Sequence, residues 1–131
     1  MSETVNIILN GDIVTGYRGE TILQLARRNN IEIPTLCNDP RLEPYTSCYV
    51  CVVEVEGLRG LQPSCSTKIS EGMRIETDNE KIRRARKTAL DLLVSNHYAD
   101  YSSSIYRPYA RLFFQNIVAV VRHLQRKLPR R

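Results

Sequence analysis

The chain has 131 residues, 42% hydrophobic and 25% charged, an ordinary globular composition at a length that buries roughly two-thirds of its unfolded surface. A disordered or low-complexity polymer is excluded, and residues 117–121 (IVAVV), the longest strongly apolar run, fall far short of the roughly 20 residues of a spanning helix. The net charge of +5 is unevenly spread, with 7 basic and 12 acidic residues over 1–80 but 12 and 2 over 81–131, so an acidic body carries a basic tail and the overall sign is no argument for nucleic-acid binding.

Val5, Ile7 and Leu9 alternate onto one face, Asn10-Gly11-Asp12 supplies turn chemistry, and Ile13-Val14-Thr15 resumes a β-prone run; a β-hairpin is predicted. Thr21 and Gln24 form a capping-box pattern ahead of a short helix with Ile22, Leu25 and Ala26 inward, ended by Asn29-Asn30. Residues 34–50 hold three of the six prolines and little periodicity, and an irregular loop of that length in a small domain is usually functional. Residues 51–57 alternate like a strand, and 61–64 and 73–77 are further strand candidates.

A second helix is predicted to start at residues 77–80, with Ile82, Ala85, Ala89 and Leu92 or Leu93 as its apolar stripe. Arg83, Arg84, Arg86 and Lys87 fill the remaining surface, as a solvated face or a docking patch. Residues 97–110, rich in Tyr and Ser, carry no clear pattern. Residues 112–121 are apolar on nearly all sides before Arg122, Arg126 and Lys127, so a helix ending near Leu128 is expected to lie on a partner protein, the body or a membrane surface.

All four cysteines, Cys37, Cys48, Cys51 and Cys65, fall in one 29-residue window with gaps of ten, two and thirteen residues. Disulfides need an oxidising compartment, of which the sequence bears no sign. Unrelated structural thiols would not gather in one irregular loop. Structural zinc usually takes two close pairs, whereas only Cys48 and Cys51 are close, and neither His97 nor His123 belongs to a spaced His pair. An iron–sulfur cluster needs four thiolates and tolerates a widened loop; the plant-type spacing Cys-x4-Cys-x2-Cys shares the x2 step. The spacing favours this reading and leaves zinc open.

The flanking strings are IPTLC at 33–37, CVVEVEG at 51–57, PSCST at 63–67, EGMRIETD at 71–78 and LLVSNH at 92–97. Together they resemble the N-terminal ferredoxin domain of the large iron–sulfur subunit of respiratory complex I and of related NAD-linked hydrogenases and formate dehydrogenases. The resemblance runs from residue 5 to about residue 97. It implies an α+β, β-grasp (ubiquitin-like) ferredoxin fold over residues 1–80, a helix over 81–97 on or following it, and a C-terminal helical extension, made of a linker and a basic apolar helix, over 98–131. It also implies that Cys37, Cys48, Cys51 and Cys65 bind one 2Fe–2S cluster.

Two departures stand out. That family often has Gly shortly before its second ligand and Arg just after it, where this chain has Thr46-Ser47 and Tyr49. Relatives also continue into a His-x3-Cys-x2-Cys-x5-Cys site for a 4Fe–4S cluster, whose positions fall on His97, Tyr101, Ser104 and Ala110; a second cluster is expected to be absent.

Four thiolates leave no open position for substrate, so one-electron transfer is the chemistry expected, tuned by backbone N–H groups of the loop; the hydroxyls of Ser47, Ser64, Ser66 and Thr67 are placed either to bond sulfur or to be solvated as in any loop. No GxGxxG loop, P-loop or Ser/His/Asp set competes. The resemblance implies a carrier that is not an enzyme on its own. It would sit in a hetero-oligomer between a flavin-containing NAD(P)H-oxidising subunit and a reductase or hydrogenase module. No leader pattern precedes the body, so a cytoplasmic location is expected. A zinc-stabilised adaptor or nucleic-acid-binding module, using residues 83–87 and 107–131 on phosphates, and a redox-sensing subunit are the alternatives.

Overall fold

Asn10 and Gly11 both have positive φ, 52° and 88°, the pair of left-handed residues that a two-residue hairpin turn requires. They fold β1 (Thr4–Leu9) back onto β2 (Asp12–Tyr17) in antiparallel register, Leu9 opposite Asp12 and Thr4 opposite Tyr17. The alternation puts Ile7 and Leu9 fully inside with Val5 half-buried beside them. The computed structural model describes residues 3–95 and Arg122. The stretch expected to form a linker and basic helix, with His97, Tyr101, Ser104, Ala110 and His123, lies outside the described residues.

Helix α1 (Ile22–Arg28) begins with the expected capping box: Gln24 N–H donates to Thr21 Oγ1 at 3.2 Å and Thr21 N–H to Gln24 Oε1 at 2.9 Å. Ile22, Leu25 and Ala26 are buried as expected, and so is Leu23. Three short strands follow, β3 (Val52–Val55), β4 (Leu61–Pro63) and β5 (Arg74–Glu76). The sheet order is β2-β1-β5-β3-β4, with β1 and β5 parallel and the other pairs antiparallel. This mixed sheet gripping one helix is the β-grasp arrangement. Ile22 and Leu25 of α1 meet Ile7, Leu9, Val53, Val55 and Ile75 of the sheet in one core, each fully buried side chain contributing about 1.5–3 kcal/mol.

The last described element, α2 (Glu80–Ser95), starts under Asn79, whose Oδ1 accepts from Ile82 N–H at 2.9 Å. Asn79 Nδ2 and Lys81 Nζ both reach Glu54 at 2.8 Å, fastening the helix start to β3. This explains why β3 does not alternate cleanly: Val52 and Val53 are both buried, because α1 and the sheet core cover one face while α2 packs on the strand as well. The buried stripe of α2 also differs from the expected one. Ile82, Arg86 and Leu90 are inside, Ala89 and Leu93 half-buried, and Leu92 is 59% exposed. Arg86, expected at the surface in a solvated face or a docking patch, is completely buried. No helix of the described residues is long and apolar enough to cross a membrane.

Candidate metal centre

Segment 36–51 lies between α1 and β3 in the chain and packs against α2. Val50 and Cys48 form a small second core with Leu90, against which Leu36, Cys37, Ala89 and Leu93 pack. The loop is thus held by the helix that follows the sheet. Cys51 and Cys65 belong to the main core instead. Cys65 is fixed by α1: Leu23 N–H donates to Ser64 O at 2.9 Å and Ile22 N–H to Thr67 O at 3.0 Å, so free N–H groups of the first helical turn are satisfied by the cysteine segment itself.

Ser64, fully buried, donates its hydroxyl to Cys51 O at 2.6 Å, and its backbone N–H reaches the same carbonyl at 3.2 Å. This pins the end of β4 across the start of β3 and brings Cys51 and Cys65 side by side. All four cysteines are free thiols; Cys48, Cys51 and Cys65 are buried and Cys37 half-buried.

The thiols gather by twos. Cys37 and Cys48 interact with each other, as do Cys51 and Cys65. Burial pushes the Cys37 thiol up, but the N–H groups of Cys48 and Ser47, the Ser47 hydroxyl and the Cys48 thiol outweigh it, leaving Cys37 below its ordinary value. Burial keeps Cys48 raised despite the N–H groups of Val50 and Cys37, and likewise Cys51 despite the N–H of Cys65 and the Ser64 hydroxyl. Burial thus disfavours the free thiolate at Cys48 and Cys51, while the N–H donors around the sulfurs favour the charge that a bound metal would stabilise. Among the described residues, no three His, Cys, Asp or Glu side chains are placed around a single ion. Two thiol pairs fit a dinuclear group, two thiolates to each iron.

The loop reaches this arrangement through unusual backbone. Thr46 and Tyr49 have φ of 55° and 54°, a left-handed conformation that costs an L-residue roughly 1–2 kcal/mol and is rarest for a β-branched one. The Thr46 hydroxyl lies 3.8 Å from Cys65 Sγ, linking the first part of the loop to the second pair.

Of the hydroxyls expected near sulfur, that of Ser47 faces Cys37, that of Ser64 lies beside Cys51 but donates to its backbone carbonyl at 2.6 Å, and Thr67 Oγ1 donates to Pro63 O at 2.7 Å. Two neighbours of the cysteines, Thr46 and Arg86, escape sequence reasoning. Nothing in the residue type marks Thr46, but Arg86 sits four residues from both Ile82 and Leu90, within the buried stripe. A groove of about 450 Å³ lined by Ile8, Glu54, Leu58, Arg74 and Glu76 involves none of the cysteines.

Comparison with known proteins agrees with this geometry. Residues 2–80 match the family described as 2Fe-2S iron-sulfur cluster binding domain. The chain is 48% identical over 82 residues to an NADH-quinone oxidoreductase subunit of Rhizobium meliloti (strain 1021), covering 63% of this chain and 10% of that protein. It is 41% identical over 102 residues to an NADP-reducing hydrogenase subunit, HndD, of Solidesulfovibrio fructosivorans, covering 73% of this chain and 17% of that protein. The chain therefore corresponds to a small part of these relatives. Among solved structures, an NAD+-reducing [NiFe]-hydrogenase in the H2-reduced state is similar with a TM-score of 0.64 at 30% identity, over 72% of this chain and 40% of that one. The match over residues 2–80, more than half of the chain, shows that it belongs to the 2Fe-2S iron-sulfur cluster binding domain family.

Proposed function

We propose that Cys37 and Cys48 hold one iron and Cys51 and Cys65 the other iron of a 2Fe–2S cluster, through which the chain passes single electrons within a multisubunit oxidoreductase. The observation that carries this reading is the gathering of the thiols into two pairs. A lone zinc ion needs its donors to converge on one point, which two pairs do not favour. When bound, the cluster supplies a one-electron couple and offers no site for substrate. The residues around it bind and insulate: the N–H groups of Ser47, Cys48, Val50 and Cys65 stabilise sulfur charge, and Val50 and Leu90 exclude water. The chain is not an enzyme on its own in this reading.

The donor we propose is a flavin-containing NAD(P)H-oxidising subunit, and the acceptor a reductase or hydrogenase module. The names of the relatives, an NADH-quinone oxidoreductase subunit and an NADP-reducing hydrogenase subunit, support this placing. Residues 1–80 would form the ferredoxin-like domain, 81–97 a helix braced on it, and 98–131 a docking segment. Metal analysis of anaerobically purified chain tests the cofactor: iron and acid-labile sulfide in equal amounts are expected, and stoichiometric zinc would contradict it. Mixing with NAD(P)H and a flavin subunit should then bleach the visible absorbance on the timescale of turnover.

A further inference from the structure

Arg86 is a charge in an unexpected place. Its side chain has no solvent exposure, and its partners are two backbone carbonyls, Val52 O at 2.9 Å and Thr77 O at 3.0 Å, both reached by Nη2. Its Nε is buried with no hydrogen-bond partner. A guanidinium is costly to bury, and where only helix-to-sheet packing is needed an apolar side chain of similar volume serves as well or better. Its retention calls for a negative counterpart in the interior.

Two candidates lie within electrostatic range. One is the Asp78 carboxylate, already engaged by Arg83 at 2.9 Å. The other is Cys51, whose own neighbour Val52 supplies the carbonyl that Arg86 grips. Burial lowers the guanidinium to about 10, against the attraction of Asp78 and Cys51 and with some repulsion from Arg83, so it stays charged at neutral pH.

We propose that Arg86 is a fixed interior cation that raises the reduction potential of the cluster by favouring its electron-rich state, acting through its clamp on the backbone beside Cys51. The inference rests on the four-cysteine cluster reading above. A cluster of four thiolates, two sulfides and two ferric ions is dinegative and becomes trinegative on reduction. A positive charge in the protein interior attracts the second state more than the first, and no bulk water intervenes to screen it. Exposed cations on the same helix, Arg84 and Lys87, are paired with Glu80 and Asp91 at the surface and have little influence there.

The test is an EPR-monitored potentiometric titration of the full chain, comparing wild type, Arg86→Met and Arg86→Lys, with iron content measured in each. Loss of the charge in Arg86→Met should lower the equilibrium constant for reduction about tenfold, about 59 mV for a one-electron couple. Arg86→Lys should stay within about threefold of wild type. If Arg86→Met does not fold or load iron, citrulline at position 86 decides, because it keeps the planar donors and removes the charge. Such a chain can be joined at the Ser64–Cys65 bond by native chemical ligation. A fully loaded neutral form with wild-type potential, or a Lys form displaced as far as the neutral one, overturns the inference while leaving the cluster intact. Wild-type chain without iron would instead overturn the reading on which it rests.

Discussion

Leu90 and Leu92 lie two residues apart on α2, one 5% exposed against Cys48 and Val50 and the other 59% exposed. Replacing Leu90 by Ala deletes three carbons from a packed site. At about 0.8 kcal/mol per buried methylene the transfer loss is about 2.4 kcal/mol, and incomplete collapse of the cavity brings the total to about 2.5–3.5 kcal/mol. The same change at Leu92 removes mostly hydrated surface and should stay within about 0.5 kcal/mol. Anaerobic urea unfolding followed by far-UV circular dichroism reads both: at a slope of about 1.5 kcal/mol/M the Leu90→Ala midpoint falls by about 2 M, and that of Leu92→Ala barely moves. Because Leu90 also covers the first cysteine pair, Leu90→Ala should lose its visible absorbance to a chelator faster than wild type. Equal midpoints for the two variants, or Leu90→Ala within about 0.5 kcal/mol of wild type, would refute the claim that α2 closes over the cysteine loop.

Thr46→Gly should relieve a left-handed backbone worth about 1–2 kcal/mol at the expense of about 0.5–1 kcal/mol of added freedom in the unfolded chain. A net gain of up to about 1.5 kcal/mol in urea unfolding is expected, with a lower cluster potential from loss of the hydroxyl 3.8 Å from Cys65 Sγ. Glu20 receives Arg28 through two bonds of 2.9 and 3.1 Å and the Tyr17 N–H at 3.0 Å, which together outweigh burial and hold its carboxyl below its ordinary value. A depressed carboxylate adds stability above its unfolded value that is lost as pH falls through the folded one. Glu20→Gln should therefore destabilise at pH 7 by at most about 1 kcal/mol, since Arg28 is partly exposed. The difference from wild type should shrink in thermal melts as the pH falls below the ordinary carboxylate range and through the depressed folded value.

Features set by local chemistry can be read from residues alone. Asn10-Gly11 names its turn, and Thr21 with Gln24 names its cap, because each rests on side-chain and backbone preferences within four positions. The cysteine window and its flanking strings likewise identify the fold and the cofactor. What stays hidden in the sequence depends on distant packing. The joining of Cys37 with Cys48 and of Cys51 with Cys65 depends on long-range packing, the first pair against Leu90 of α2 and the second in the core that α1 shares. Residue type puts Arg86 on the solvated face, although its spacing from Ile82 and Leu90 places it in the buried stripe. Thr46 and Tyr49 adopt conformations that their side chains disfavour, so no propensity argument reaches them.

The most direct test is spin quantitation of anaerobically purified, dithionite-reduced chain by low-temperature EPR alongside its iron content. Two irons and roughly one unpaired spin per chain are expected of a one-electron-reduced pair of bridged irons held by Cys37, Cys48, Cys51 and Cys65. A chain with a single redox-inert ion, or with full iron content and no signal upon reduction, would contradict the account.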